Sequence, residues 1–177
     1  MAFEIETARI QDAEAIAAVH ISSWRETYRG LLPNDLLENL QLDQRAELWR
    51  QIIASNQLSP SSAQYIARSK KQIVGFGSCG PGRSRTCVKE GYEGEISTLY
   101  VLNSHQHRGI GSALFHQMTV RLSSEGINSL SLWVLDTNLK ARSFYERRGG
   151  VAFDKREDDH RGTLTTEIAY GWRNVEK

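Results

Sequence analysis

The chain has 177 residues, and its 22 Lys and Arg against 21 Asp and Glu leave a net charge of +1. A charge so close to neutral excludes a broad electrostatic footprint for nucleic acid or an anionic membrane, so any anion site must be local. The length and a hydrophobic share of 40% suit a single globular domain over residues 1–177.

In chain order, "FEIETARI" (Phe3–Ile10) alternates apolar and polar residues and predicts a strand. Asp12 then caps a helix in which Ile16, Val19 or His20, and Trp24 share one face, with Gly30 as its stop. A second helix starts at Asp43 and aligns Ala46, Trp49, Ile52 and Ile53. Asn56–Ala63 is a loop by composition. Gln64–Ser69 and Gln72–Cys79 form a hairpin turned at Lys70 and Lys71, and Gly80–Gly94 is a glycine-punctuated excursion. The strand Glu95–Leu102 leads to a helix over Gly109–Glu125, and the alternating strand Ser129–Leu135 leads to a short helix over Asn138–Gly149. Strands Val151–Lys155 and Thr163–Trp172 close a mixed α+β sheet protein.

Cys79 and Cys87 form no CxxC, and no Cys/His cluster has zinc-ligand spacing, so no metal is expected. The acid-bearing start lacks the basic and apolar regions of a secretory signal, and no apolar run is long enough to span a membrane. A cytoplasmic protein is the expectation.

Among three GxG pairs, only Gly109/Gly111 lies between a strong strand and a strong helix. About one such pair arises by chance in a chain this rich in glycine, so context carries the signal. Bare glycines at a helix N-terminus leave first-turn N–H groups pointing outward beside the positive end of the helix dipole, which cradles an anion. Close helix–strand packing is the competing explanation. A P-loop is excluded because no Gly-Lys-Ser/Thr occurs, and a Rossmann fingerprint because position 114 is Leu.

The run Gln106-His107-Arg108-Gly109-Ile110-Gly111 has the Q/R-x-x-G-x-G/A form. It follows "LYV" (Leu99–Val101) and precedes N-x-x-A-x-x-F-Y-x-x-x-G over Asn138–Gly149. Together these segments resemble the GNAT superfamily of acyl-coenzyme-A-dependent N-acetyltransferases. The resemblance implies a central mixed sheet splayed at the cofactor-binding strands and flanked by helices, with acetyl-CoA as acyl donor. It implies that the backbone around Leu99, Tyr100 and Val101 pairs with the pantetheine arm. The segment Gln106, His107, Arg108, Gly109, Ile110, Gly111 and Ser112 would hold the pyrophosphate, with Asn138 and Ala141 near the pantetheine. Arg108 and Lys140 are the cations expected near the phosphates.

Acetyl transfer to an amine needs a neutral amine, a donor for the carbonyl oxygen and a proton for the departing thiolate. By resemblance Tyr145 faces the sulfur as general acid, although beside Phe144 it could simply be a packed tyrosine. Glu95 opens the central strand with the parity of Ser97 and Leu99; it could take the amine's proton, hold the ammonium, or be a solvated strand-end acid. In this family the segment after the first helix walls the acceptor site, which nominates Trp24 and Tyr28, although Trp24 reads more readily as core and Tyr28 as half-buried. Arg83, Arg85 and Lys89 read as a solvated loop rather than as a reader of the substrate. A small-molecule amine is favoured over a peptide amine, and an acid-rimmed pocket would suit a small cation. A non-catalytic acyl-CoA-binding module is the alternative, although it needs neither Tyr145 nor Glu95. A homodimer pairing Leu164–Trp172 across a two-fold is an analogy with the family.

Overall fold

The computed structural model describes residues 2–55, 61–160 and 163–175. Seven strands form one sheet in the order β1-β2-β3-β4-β5-β7-β6. They are β1 (Glu4–Thr7), β2 (Ala63–Ser69), β3 (Gln72–Pro81), β4 (Gly94–Val101), β5 (Leu130–Leu135), β6 (Val151–His160) and β7 (Thr163–Trp172). Every pairing is antiparallel except β4 with β5, which the helical crossover between them makes parallel.

The helices are α1 (Ala13–Tyr28), α2 (Asn34–Glu38), α3 (Leu42–Ser55), α4 (Arg85–Lys89), α5 (Ile110–Ser124) and α6 (Leu139–Glu146). The apolar stripe of α5 places Ile110, Leu114, Met118 and Leu122 against Val74, Ile96 and Leu132 on one sheet face. On the other face Ile16 and Val19 of α1 and Ala46, Trp49 and Ile53 of α3 cover Ile66 and Phe76. A third cluster, Cys87, Tyr92 and Ala169, lies beneath α4 with Trp133 and Phe153 against it.

The elements match the expected order, with local differences. The loop expected over Asn56–Ala63 lies largely outside the described residues, and β2 begins at Ala63. Asp12 does not cap α1 with its side chain: a short 3-10 turn, Ile10–Asp12, precedes the helix, and Asp12 Oδ2 accepts from the Arg9 N–H at 2.9 Å. The Gly80–Gly94 excursion contains α4, begun by Ser84 accepting from the Cys87 N–H. β6 runs five residues beyond its expected end, paired with β7 throughout. β7 lies inside the sheet, with Glu167–Gly171 paired with β5 on one side and β6 on the other. That stretch therefore has no free edge for pairing across a two-fold.

Candidate active site

Near their starts β4 and β5 pair only through Gly94–Leu130 and Glu95–Ser131. Just beyond, Ser78 of β3 faces Thr98 while Cys79 faces Ile96, leaving Ser97 as an extra residue in β4. Such a bulge bends its strand. Ser78 fastens it, its hydroxyl bonded to those of Ser97 at 3.0 Å and Thr98 at 2.7 Å. β4 and β5 then diverge around a cleft of about 1110 Å³. The bulge also reverses side-chain parity. Ile96, Leu99 and Val101 all pack on the α5 side, so Glu95 and Leu99 face opposite sides of the sheet, contrary to the parity expected from alternation.

The divergence leaves one edge of β4 open. The Leu102 N–H donates to the Val74 carbonyl of β3 at 3.0 Å. Alternation then turns the backbone groups of Tyr100 to β3 and those of Leu99 and Val101 to the cleft. Gln106 Nε2 donates to the Val101 carbonyl at 3.0 Å, consistent with that direction. The Leu99 N–H and C=O and the Val101 N–H remain for an extended, amide-containing ligand.

At the far end of this edge lies the mouth of α5. His107 and Gly109 adopt left-handed backbone, with φ of 58° and 84°. The first internal bond of the helix runs from the Ala113 N–H to the Gly109 carbonyl, so the amides of Ile110, Gly111 and Ser112 have no intrahelical acceptor. The two glycines serve different ends. A Cβ at Gly109 would meet nothing within 4 Å, and the positive φ is what favours glycine there. A Cβ at Gly111 would lie 3.3 Å from Phe144 Cε2, so its bareness also serves packing against α6. Among the nominated residues, Gln106, His107, Gly109, Gly111, Ser112, Asn138 and Ala141 line the cleft. Ile110 is buried in the core and Arg108 is exposed, and neither lines it. Arg148, which the sequence reading missed, lines it beside Lys140 and Arg147. It stacks over Phe144 at 3.6 Å from the ring centroid and donates to Ser112 Oγ. These residues fit a multiply charged anion: free amides, a helix dipole and guanidinium groups converge on one place.

Asn138 caps α6, its Oδ1 accepting from the Ala141 N–H at 3.2 Å, which leaves its NH₂ donors for a ligand. About two turns on, Tyr145 is 8% exposed and lines the cleft, packed against Phe144, Tyr170 and Trp172. Its hydroxyl has no hydrogen-bond partner among the described residues. Burial raises its pKa above the usual phenol value, with Tyr100 adding to the effect and Arg148 opposing it. The phenol therefore stays protonated and able to donate.

Trp24 and Tyr28 of α1 both line the other end of the cleft. Trp24 Nε1 donates to the Tyr100 hydroxyl, which also shares a hydrogen bond with Tyr28 Oη, each at 3.1 Å. Burial and then the neighbouring Tyr100 hydroxyl raise the Tyr28 pKa. Three acids line the cleft: Glu26 accepts from the Asn103 N–H at 2.9 Å, and the other two are held by arginine. Glu95 is held by Arg83, accepting from its backbone N–H at 3.0 Å and from its guanidinium at 2.6 Å. Glu167, unforeseen, is held by Arg156 at 2.6 Å. No local pattern signals these residues, because they come together only through the pairing of β5, β6 and β7 and the fold of the Gly80–Gly94 segment.

The chain is similar in sequence and in fold to known proteins. The Acetyltransferase (GNAT) family matches residues 20–150. The uncharacterized N-acetyltransferase YuaI of Bacillus subtilis is 30% identical over 172 residues, covering 97% of this chain and 93% of the other. The PaiA N-acetyltransferase of Thermoplasma acidophilum, crystallised with coenzyme A, has a similar fold, with a TM-score of 0.75 at 22% identity over 95% of this chain and 98% of that one. So does yncA of Salmonella typhimurium with its cofactor acetyl-CoA, with a TM-score of 0.72 at 14% identity over 100% of this chain and 96% of the other.

Proposed function

Because the chain belongs to the GNAT acetyltransferase family, we propose that it transfers the acetyl group of acetyl-CoA directly to the primary amine of a small molecule, using Tyr145 as acid and Glu95 as base. The observation that carries this reading is the open edge of β4, continuous at one end with the bare amides of α5 and lining the same cleft as Tyr145. Acetyl-CoA supplies an activated acetyl group on a leaving thiol.

Leu99 and Val101 hold the extended arm through their cleft-facing backbone groups, and Asn138 adds its amide donors. The amides of Ile110, Gly111 and Ser112 hold the pyrophosphate, with Arg148 neutralising it. Tyr145 keeps its proton and donates it toward the sulfur, a role on the order of 10²–10⁴-fold. Glu95 takes the ammonium proton from the acceptor on the side of Trp24 and Tyr28. Direct transfer needs no cysteine carrier, and neither cysteine lines the cleft: both are buried, and burial pushes the Cys79 thiol up to about 12. Two unpaired thiols suit a reducing compartment, and we place the protein in the cytoplasm.

The test is Tyr145→Phe. Because the hydroxyl has no described protein partner, its loss leaves packing intact. Turnover falls by about 10²-fold or more while acetyl-CoA affinity stays within about threefold. Unchanged turnover removes Tyr145 from the chemistry, and a wild-type protein that binds acetyl-CoA but transfers its acetyl group to no amine removes the enzyme reading.

A further inference from the structure

Beside the main cleft is a side chamber of about 280 Å³ lined by Arg83, Ser84, Glu95, Trp133 and Arg156. Its charges are arranged with one polarity. The side chains of Glu95 and Glu167 are 14% and 16% exposed, whereas those of their partners Arg83 and Arg156 are 72% and 46% exposed. Each pair therefore hides its carboxylate and presents its guanidinium to whatever enters. Arg83 meets Glu95 through Nη2, and Arg156 meets Glu167 through Nε and Nη2. Nε and Nη1 of Arg83 and Nη1 of Arg156 bond no other described residue.

The walls repeat the pattern. Arg156 lies over the Trp133 ring at 4.1 Å from its centroid, which fixes the guanidinium plane. The Trp133 Nε1–H is buried with no acceptor among the described residues. Ser84 Oγ accepts from the Cys87 N–H, so its own proton is free to donate. The donors that the chamber presents are thus the Arg83 and Arg156 guanidinium groups and the Ser84 hydroxyl, and its one carboxylate is already held. An anionic oxygen group is the ligand that this wall lacks, and a guanidinium fork matches a carboxylate.

We infer that the amine acceptor also carries a carboxylate, which seats in the chamber between Arg83 and Arg156 while the amine reaches Glu95 in the main cleft. The inference rests on the transferase reading and narrows its acceptor to amino-acid-like zwitterions. A polycation is disfavoured, because it would have to displace arginine from both glutamates and would meet two guanidinium groups on entry.

The experiment compares free amino acids, spanning α, β and γ spacings of amine and carboxylate, with the amide and the decarboxylated amine of each. Thiol release from acetyl-CoA is the readout. At least one carboxylate-bearing acceptor exceeds its two matched compounds in kcat/KM by about tenfold or more, the scale of a charge-assisted fork. Arg156→Gln and Arg83→Gln each bring that ratio toward unity, whereas Arg156→Lys retains part of it. Because the ratio is taken within one variant, general loss of activity cancels. Equal or better transfer to the amides and amines overturns the inference and leaves the transferase reading intact.

A second arm is independent of turnover: the wild-type protein is titrated with the matching N-acetyl amino acids while the indole N–H resonance of Trp133 is followed. A saturable shift that is lost in Arg156→Gln supports the chamber even if no amine is acetylated, in which case the transferase reading alone falls. A resonance unmoved by every N-acetyl amino acid overturns the chamber whatever the transfer assay gives.

Discussion

At the residue scale, His20 couples the fold to pH. It accepts from Trp49 Nε1 through Nδ1 at 3.1 Å and stacks on Tyr100 at 5.4 Å between centroids. Burial, and secondarily Arg45, lowers its pKa from 6.5 to about 3. The unfolded chain therefore binds a proton below pH 6.5 that the folded chain refuses until about pH 3. Stability is full above pH 6.5 and declines as pH falls from 6.5 toward 3, by about 1.4 kcal/mol per unit from this group alone. Denaturant titrations at pH 7, 5.5 and 4.5 should show a steeper loss in the wild type than in His20→Gln. Parallel slopes would take the histidine out of the acid response. For Tyr145 the sign is opposite in use. Its pKa is raised, so the phenol keeps its proton through pH 7–10, and kcat should show no descending alkaline limb there that Tyr145→Phe abolishes.

The elements explain why the two glycines are not equivalent. Gly109→Ala pays only for its left-handed backbone, about 1–2 kcal/mol, with no steric contact to relieve. Gly111→Val drives a side chain into Phe144 and through it disturbs Arg148, which stacks on that ring and bonds Ser112. It should lower both stability and coenzyme affinity. Gly109→Ala should lower stability while leaving Phe144 in place, which thermal melts with and without acetyl-CoA distinguish. Equal behaviour of the two variants would refute the separate roles. The β4 bulge makes a second claim at this scale: in the free protein the Tyr100 amide is engaged by β3, and those of Leu99 and Val101 are open. Hydrogen exchange at Leu99 and Val101 should slow on addition of acetyl-CoA, while Tyr100, protected beforehand, changes little. Slow exchange at all three before ligand would contradict an open edge.

At the scale of the molecule, β1–β4 and β5–β7 share only two register pairs at the base of the cleft, and α5 and α6 bridge the gap above one face. A ligand bridging β4 and α6 therefore ties the two halves together. At a free concentration of about 100 Kd it adds about 2.7 kcal/mol to stability, and the melting temperature should rise with acetyl-CoA concentration.

Much of this was legible in the chain itself. Period and punctuation located the elements: burial of one stripe imposes 3.6 on α5, whereas β5 is covered on both faces and was marked by its alternating residue types and its length. The Gln106–Gly111 run and Asn138–Tyr145 marked the cleft because their function is local, in the amides of one turn, one cap and one side chain two turns later. What tertiary structure alone decided lies between elements. A single extra residue at Ser97 reversed the facing of Glu95, which no alternation rule detects, since an insertion is visible only against its paired strand. Arg148 reached Ser112, Arg83 reached Glu95 and Arg156 reached Glu167 across separations that carry no periodic signal. The charge balance of the acceptor end was therefore undetermined until sheet order and register brought acid and base into contact.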